Sequence, residues 1–187
     1  MSIEPGTYTL GPKDGILSVR TGKHGPAARA GHNLLIEVGA WSASLQVGAD
    51  AAQTALELTA DSRSLRVLDG TGGVHGLSDD DKASIVQTID HEVLAGTAIA
   101  FRSASAEGDG RGRLIVTGDL ELSGRTRAIA FELSLGDDGH LTGRATVKQS
   151  EWGIRPYSTL FGTLKVNDEV EVEVDARLTE TADRGDS

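Results

Sequence analysis

The chain has 187 residues and a formal net charge of −10, from 18 Lys and Arg against 28 Asp and Glu. A chain this acidic repels phosphate backbones, and the absence of cysteine excludes disulfides, thiol nucleophiles and Cys-ligated metal sites. The length and charge therefore predict one domain with no nucleic-acid partner, and no sequence motif indicates a cofactor or a metal site.

Apolar and polar residues alternate along most of the chain, which predicts antiparallel strands with one buried and one solvent-exposed face. The clearest alternation runs from Glu169 to Leu178, where valines occupy one face and charges the other. Glycine and aspartate between the alternating runs are typical of tight turns. In chain order, the predicted strands are 7–10, 15–20, 34–38, 41–47, 55–60, 64–68, 98–105, 113–122, 129–135, 141–149 and 169–178.

One segment breaks the alternation. Between residues 78 and 94, Ile85, Ile89 and Val93 recur at the spacing of a helix, and Ser78 precedes Asp81 by the three residues of a capping box. This pattern predicts one α-helix, about residues 79–94, inserted into an otherwise all-β chain. A single domain is expected over residues 1–178, followed by a flexible C-terminal tail at 179–187.

The first residues do not have the composition of a signal peptide, and no stretch approaches the roughly 18 consecutive apolar residues of a membrane span. The sequence therefore predicts a protein with no membrane span, located in the cytoplasm. Many antiparallel strands in one chain leave unpaired edges unless the sheet closes on itself, which favours a barrel. A barrel of about eight strands can hold one small or elongated ligand.

Four segments resemble the signature segments of a known family. Residues 6–10 resemble its first strand, and 118–127 its pair of strands joined by a Gly-x-Thr turn. Residues 150–154 resemble its aromatic–Gly–Ile step, and 166–172 its closing strand. On these segments the chain resembles a diverged member of the YceI family of polyisoprenoid-binding barrels. The resemblance implies an antiparallel, lipocalin-like β-barrel of about eight to ten strands, a hydrophobic ligand and possible pairing as a homodimer.

The apolar faces of the strands are expected to line the interior of such a barrel. If they do, the larger inward side chains contact the ligand. The residues predicted to bind the ligand from the strands are Leu34, Ile36, Trp41, Leu45, Phe101 and Phe131.

Three of the seven aromatic residues, Trp152, Tyr157 and Phe161, fall within ten positions of one another. Pro156 lies between them and removes a backbone donor, so this segment is predicted to be a loop rather than a central strand. The rings either plug one end of the barrel as a small core or form a mouth that contacts an apolar ligand. They are included in the predicted ligand-binding set, and Arg155 beside them is a candidate partner for a polar head group.

No motif combines a nucleophile with a base and an orienting group, so no catalytic residue is assigned. Arg29 and His32 lead directly into a predicted buried strand and are polar candidates at the barrel mouth. Three functions stay open at this point. The first is a binding or carrier protein for a long apolar molecule, isoprenoid or lipid-like. The second is a cavity-based enzyme of small-molecule metabolism that uses His32 and Arg29. The third is a filled barrel that acts as a protein-interaction module, with the acidic helix as its docking surface.

Overall fold

A computed structural model of the chain describes residues 3–178, and the predicted tail at 179–187 lies outside the described residues. Twelve strands form one antiparallel sheet, with a single α-helix, α1, at Asp79–Thr88. These elements confirm the predicted antiparallel all-β architecture with one inserted helix. The strands are β1 Gly6–Leu10, β2 Gly15–His24, β3 His32–Val38, β4 Trp41–Val47, β5 Ala55–Asp61, β6 Leu65–Gly72, β7 Ala98–Gly108, β8 Arg113–Leu122, β9 Arg125–Leu135, β10 His140–Lys148, β11 Ser158–Thr159 and β12 Leu164–Arg177.

The sheet curls because one long, bent hairpin supplies strands near both of its ends. Eleven strands follow the order β1-β4-β5-β7-β8-β9-β10-β12-β2-β3-β6, and the short β11 pairs with β12. Only two residues separate β3 from β4, and only Ser62–Ser64 separate β5 from β6. At this corner the Gly39 amide donates to the Ser64 carbonyl (2.9 Å) and the Asp61 amide to the Ala40 carbonyl (3.0 Å). The β3–β6 and β4–β5 ladders therefore form one bent hairpin, and the sheet wraps around an apolar interior.

The turn between β8 and β9 shows how local sequence fixes strand register. Ser123 and Gly124 both have positive φ, 52° and 72°, as a two-residue type I′ hairpin turn requires. Leu122 pairs with Arg125 directly across this turn. The alternating apolar residues of both strands consequently face the same interior.

Helix α1 lies against the edge strand β6. Its first turn has the predicted capping box, in which the Ser78 hydroxyl accepts from the Asp81 amide and the Asp81 carboxylate accepts from the Ser78 amide. The Lys82 ammonium donates to the Leu68 carbonyl of β6 (3.1 Å). The helix continues as a π-helical turn, Ile89–Leu94, before β7 begins. The helical segment thus reaches the predicted end at residue 94 and places Ile85, Ile89 and Val93 over the interior.

Some strands are longer than the predicted segments. The structure extends β2 to His24 and β6 to Gly72, and β12 begins at Leu164 instead of 169. In β12 the register with β2 shifts between Val166 and Val170. This bulge interrupts the period-two pattern, which is why the alternation becomes regular only at residue 169.

On the outer face, Glu173 of β12 joins three strands. Its carboxylate accepts from Arg20 of β2 (2.7 Å) and from Arg144 of β10 (2.6 Å). The hydrogen bond from Arg20 is the main reason that the pKa of Glu173 lies below its ordinary value, and the positive charges of both arginines add to it. Ionised Glu173 therefore stabilises the folded sheet, because it is bound more favourably there than in the unfolded chain.

Replacing Glu173 with Gln is expected to lower the free energy of unfolding by about 1 kcal/mol at neutral pH, the upper range for a partly exposed ion pair. A carboxylate with a lowered pKa contributes fully above its unfolded pKa, and the contribution is lost as pH falls through the folded pKa. The difference from wild type should therefore shrink below about pH 4. Urea titrations across pH measure it, with Glu169→Gln on the exposed part of the same strand as control. A difference that is independent of pH would contradict this account.

Candidate ligand-binding cavity

The interior of the curled sheet contains a cavity of about 770 Å³. Ligand pockets for small molecules usually measure about 300–1,000 Å³, so its size suits one ligand. Inward side chains from β2, β3, β4, β5, β7, β8, β9, β10 and β12 line it, together with the inner face of the helix. Most of these side chains are aliphatic or aromatic, so the cavity is largely apolar.

The cavity exists because several inward positions carry small side chains. Ala43, Ala60 and Ala145 line it, and so does Gly143 of β10. A Cβ at Gly143 would lie 3.0 Å from both Leu133 Cδ1 and Val174 Cγ1, so the neighbouring side chains close over this position. Larger aliphatic residues at the alanine positions would fill the interior, as they do in packed cores.

One wall of the cavity is aromatic. Phe101 of β7 and Phe131 of β9 pack edge to face, with ring centroids 5.2 Å apart and planes at 64°. Both rings and Trp41 line the cavity. Edge-to-face packing fixes the two rings, so this wall presents a preformed apolar surface to a ligand.

The mouth of the cavity lies where β2, β6 and the helix meet the segment before β12. Ala30 of the β2–β3 turn, Val74 and His75 of the β6–α1 loop, and Tyr157 line the cavity and are also exposed to solvent. His32, the first residue of β3, lines the cavity beside them, and its Nε2 lies 2.7 Å from the His75 carbonyl oxygen. This ring nitrogen is therefore positioned to donate to the loop and hold it across the mouth.

Few polar groups face the interior, and most are already bonded to the protein. The Thr21 hydroxyl accepts from the Leu34 amide (3.2 Å), and the buried Gln149 Nε2 donates to the Asn167 carbonyl (2.9 Å). At the mouth, the pKa of the Asp81 carboxyl lies below its ordinary value, mainly because this group accepts hydrogen bonds from Ser78. Nearby His32 lowers the pKa slightly further. The arrangement suits binding of an apolar body with a small polar group more than it suits acid–base chemistry.

The predicted site residues fall into two groups. Seven of them line the cavity: Leu34, Ile36, Trp41, Phe101, Phe131, Tyr157 and His32. Leu45 and Trp152 are buried in the packed core and do not line the cavity, and Phe161, Arg29 and Arg155 are exposed at the surface. Whether any of them binds a ligand stays a prediction. The sequence analysis missed the cavity residues Thr21, Ala145 and Gln149. Ala145 and Gln149 could have been identified only from their inward register on the predicted strand 141–149.

The aromatic loop combines the two arrangements that the sequence left open, a plug in the core and a mouth of the cavity. Trp152 is 1% exposed, and its indole nitrogen donates to the Leu120 carbonyl (3.0 Å), so it belongs to the core. Tyr157 lies at the mouth, and Phe161 extends into solvent. The loop is therefore anchored by its first ring and exposes its last.

Within residues 3–178, no three His, Cys, Asp or Glu side chains lie together as metal ligands. No helix in this part of the chain has the length and apolar character needed to cross a membrane.

Residues 28–178 match the sequence model of the YceI-like domain. Among solved structures, the fold is similar to BcnA of Burkholderia cenocepacia, with 17% sequence identity, a TM-score of 0.62, and coverage of 87% of this chain and 96% of BcnA. It is also similar to a polyisoprenoid binding domain from Saccharophagus degradans implicated in plant cell wall breakdown, with 9% identity, a TM-score of 0.52, and coverage of 92% of this chain and 99% of that domain. A comparison with curated proteins finds no match. At these identities the structural likeness shows the fold alone.

Proposed function

Because the chain belongs to the family of YceI-like domains, we propose that it binds a long apolar small molecule, isoprenoid or lipid-like, inside its cavity and carries it. The observation that carries the proposal is the cavity itself, which measures about 770 Å³ and is lined mainly by apolar side chains. A filled barrel acting only through its surface would need side chains in this space, and residues 3–178 place none there.

The energy available from an apolar chain is sufficient for binding. Each buried methylene contributes about 0.8 kcal/mol, so a chain of 15 to 20 carbons contributes on the order of 12–16 kcal/mol before losses. Association and ordering cost roughly 4–15 kcal/mol. Affinity therefore depends on how many methylenes the cavity accommodates, and long apolar chains are favoured over short ones.

The similarity to a polyisoprenoid binding domain supports a ligand of this class. The chain's own residues support it as well, since the aromatic wall of Phe101 and Phe131 offers flat apolar contact to unsaturated or branched chains. Gln149 and Thr21 are among the polar side chains that line the cavity, and they would suit a ligand with a hydroxyl or carbonyl at one position.

Native mass spectrometry of the protein purified from its own host tests the proposal. We expect a bound species of a few hundred daltons above the protein mass, which organic solvent extracts and which rebinds after extraction. Alcohols of increasing chain length should then bind about fourfold more tightly per methylene until the cavity is full. A protein with no bound species and no dependence on chain length would contradict the proposed function.

A further inference from the structure

The end of the curled sheet that carries the cavity mouth has an apolar outer surface. Four of the seven large hydrophobic side chains that are exposed in the described residues lie there: Val74 is 71% exposed, Tyr157 39%, Leu160 51%, and Phe161 fully exposed. Val74 and Tyr157 also line the cavity, so the exposed patch continues into its interior. We call these four residues the apolar tip.

The backbone of the apolar tip is strained. Leu160 and Phe161 both have positive φ, 52° and 56°, and Gly162 follows with 82°. For bulky residues this conformation costs on the order of 1–3 kcal/mol each, and asparagine or glycine would adopt it at less cost. The Thr163 hydroxyl donates to the Leu160 carbonyl (2.6 Å) and holds the turn in place. The fold thus maintains a strained turn that carries one fully exposed phenyl ring.

Cations surround the apolar tip although the chain as a whole is acidic. Arg155 precedes Tyr157 by two residues, and the Lys165 Cε lies 3.9 Å from where a Gly162 Cβ would stand. The Ala27 amide donates to the Thr163 carbonyl (2.9 Å), which places the turn that carries Arg29 beside the tip. Within residues 3–178, none of these three cations forms an ion pair, so no carboxylate neutralises their charge directly.

From this combination we propose that the protein docks onto the surface of membranes that contain anionic lipid. Leu160 and Phe161 enter the interfacial region, and Arg29, Arg155 and Lys165 contact the phosphates, an arrangement typical of peripheral membrane contacts. The acidic first turn of α1, Asp79–Asp81, lies on the helix side of the mouth and repels anionic lipid. Contact therefore runs through the segments that carry the cations, the β2–β3 turn and residues 155–165, and not through the first turn of α1.

Docking in this orientation brings the cavity mouth to the lipid. An apolar molecule would pass between bilayer and cavity along Tyr157 and Val74 with little exposure to water. The docking itself requires no ligand in the cavity, so it can be tested independently of the proposed function.

Vesicle co-sedimentation tests the docking. The full chain should sediment with vesicles of mixed phosphatidylcholine and phosphatidylglycerol, more weakly with phosphatidylcholine alone, and less in high salt.

Phe161→Asn should reduce the affinity for mixed vesicles about tenfold, the loss expected for one aromatic ring. Because asparagine tolerates positive φ, the same variant should unfold at the same temperature as wild type or a higher one. A residue with a structural role would instead lower it.

Two matched controls separate the tip from general surface effects. Ile115→Asn removes an exposed apolar side chain from the wall of β8 and should leave vesicle binding unchanged. The double variant Arg29→Gln with Lys165→Gln should lose about tenfold or more in affinity for mixed vesicles, whereas Lys13→Gln in the exposed β1–β2 turn should lose none.

The following results would overturn the docking proposal. The wild-type chain fails to sediment with mixed vesicles, or Phe161→Asn binds them as tightly as wild type. If light scattering instead shows a dimer that Phe161→Asn dissociates, without vesicle binding, the apolar tip is a self-association surface. Vesicle binding by a protein whose cavity takes up no apolar ligand would refute the proposed function alone and leave the docking intact.

Discussion

Replacing Trp152 with alanine is expected to lower the free energy of unfolding by about 3–5 kcal/mol, the range for removing a fully buried aromatic side chain. Trp152 is 1% exposed, and its indole nitrogen donates to the Leu120 carbonyl of β8. Two residues later Ile154 is also buried. Together they attach the segment between β10 and β11 to the interior, so the variant leaves a void and loses the hydrogen bond to the Leu120 carbonyl.

Urea denaturation followed by far-ultraviolet circular dichroism measures this loss, because the substitution itself changes the tryptophan fluorescence. Trp152→Phe is the matched control: it keeps most of the ring volume and removes the indole donor, so its loss should be clearly smaller. Phe161→Ala, at the exposed end of the same loop, should cost little or nothing. A loss below about 1 kcal/mol for Trp152→Ala would mean that the segment is held by its backbone and not by this ring.

Strand positions could be predicted because burial on one face imposes a period of two on the sequence. In β8, Val116, Leu120 and Leu122 are buried, as their alternation with polar residues indicates. Helix α1 could be predicted for a similar reason, since its capping box is a local arrangement of Ser78 and Asp81. Both signals depend on neighbours close in sequence.

The ends of several strands could not be predicted, because they are fixed by contacts distant in sequence. Gly70 and Gly72 belong to β6 although glycine favours turns, since β3 pairs with them through Leu34 and His32. Likewise β12 continues through its bulge to Leu164, where β11 pairs with it. A single sequence contains no direct signal for these partners.

The apolar face of each strand was predictable, but not which of its residues line a cavity. Trp41 and Leu45 lie on the same face of β4, and yet Trp41 lines the cavity while Leu45 packs in the core. The difference depends on the size of the facing side chains, which lie on other strands. Small residues at inward positions, such as Ala145, are the feature that leaves space, and a search for large side chains overlooks them.

Filling the cavity provides the sharpest test of its role. Ala145 lines the cavity from the middle of β10, and its strand neighbour Val172 of β12 lines it too. A phenylalanine at position 145 would occupy space that the ligand needs and displace about three or four methylenes. At about 0.8 kcal/mol each, this corresponds to a loss of about a hundredfold in affinity.

We therefore expect Ala145→Phe to bind a fluorescent probe with a long alkyl chain about a hundredfold more weakly than wild type. Its thermal unfolding should change little, because a ring that enters an empty apolar space gains contacts without displacing the core. Thr146→Phe is the matched control, since Thr146 is the next residue of β10 and faces solvent; its probe affinity should equal that of wild type. Equal probe affinity for Ala145→Phe and wild type would place the ligand elsewhere, whereas a similar loss in both variants would indicate a general disturbance of β10.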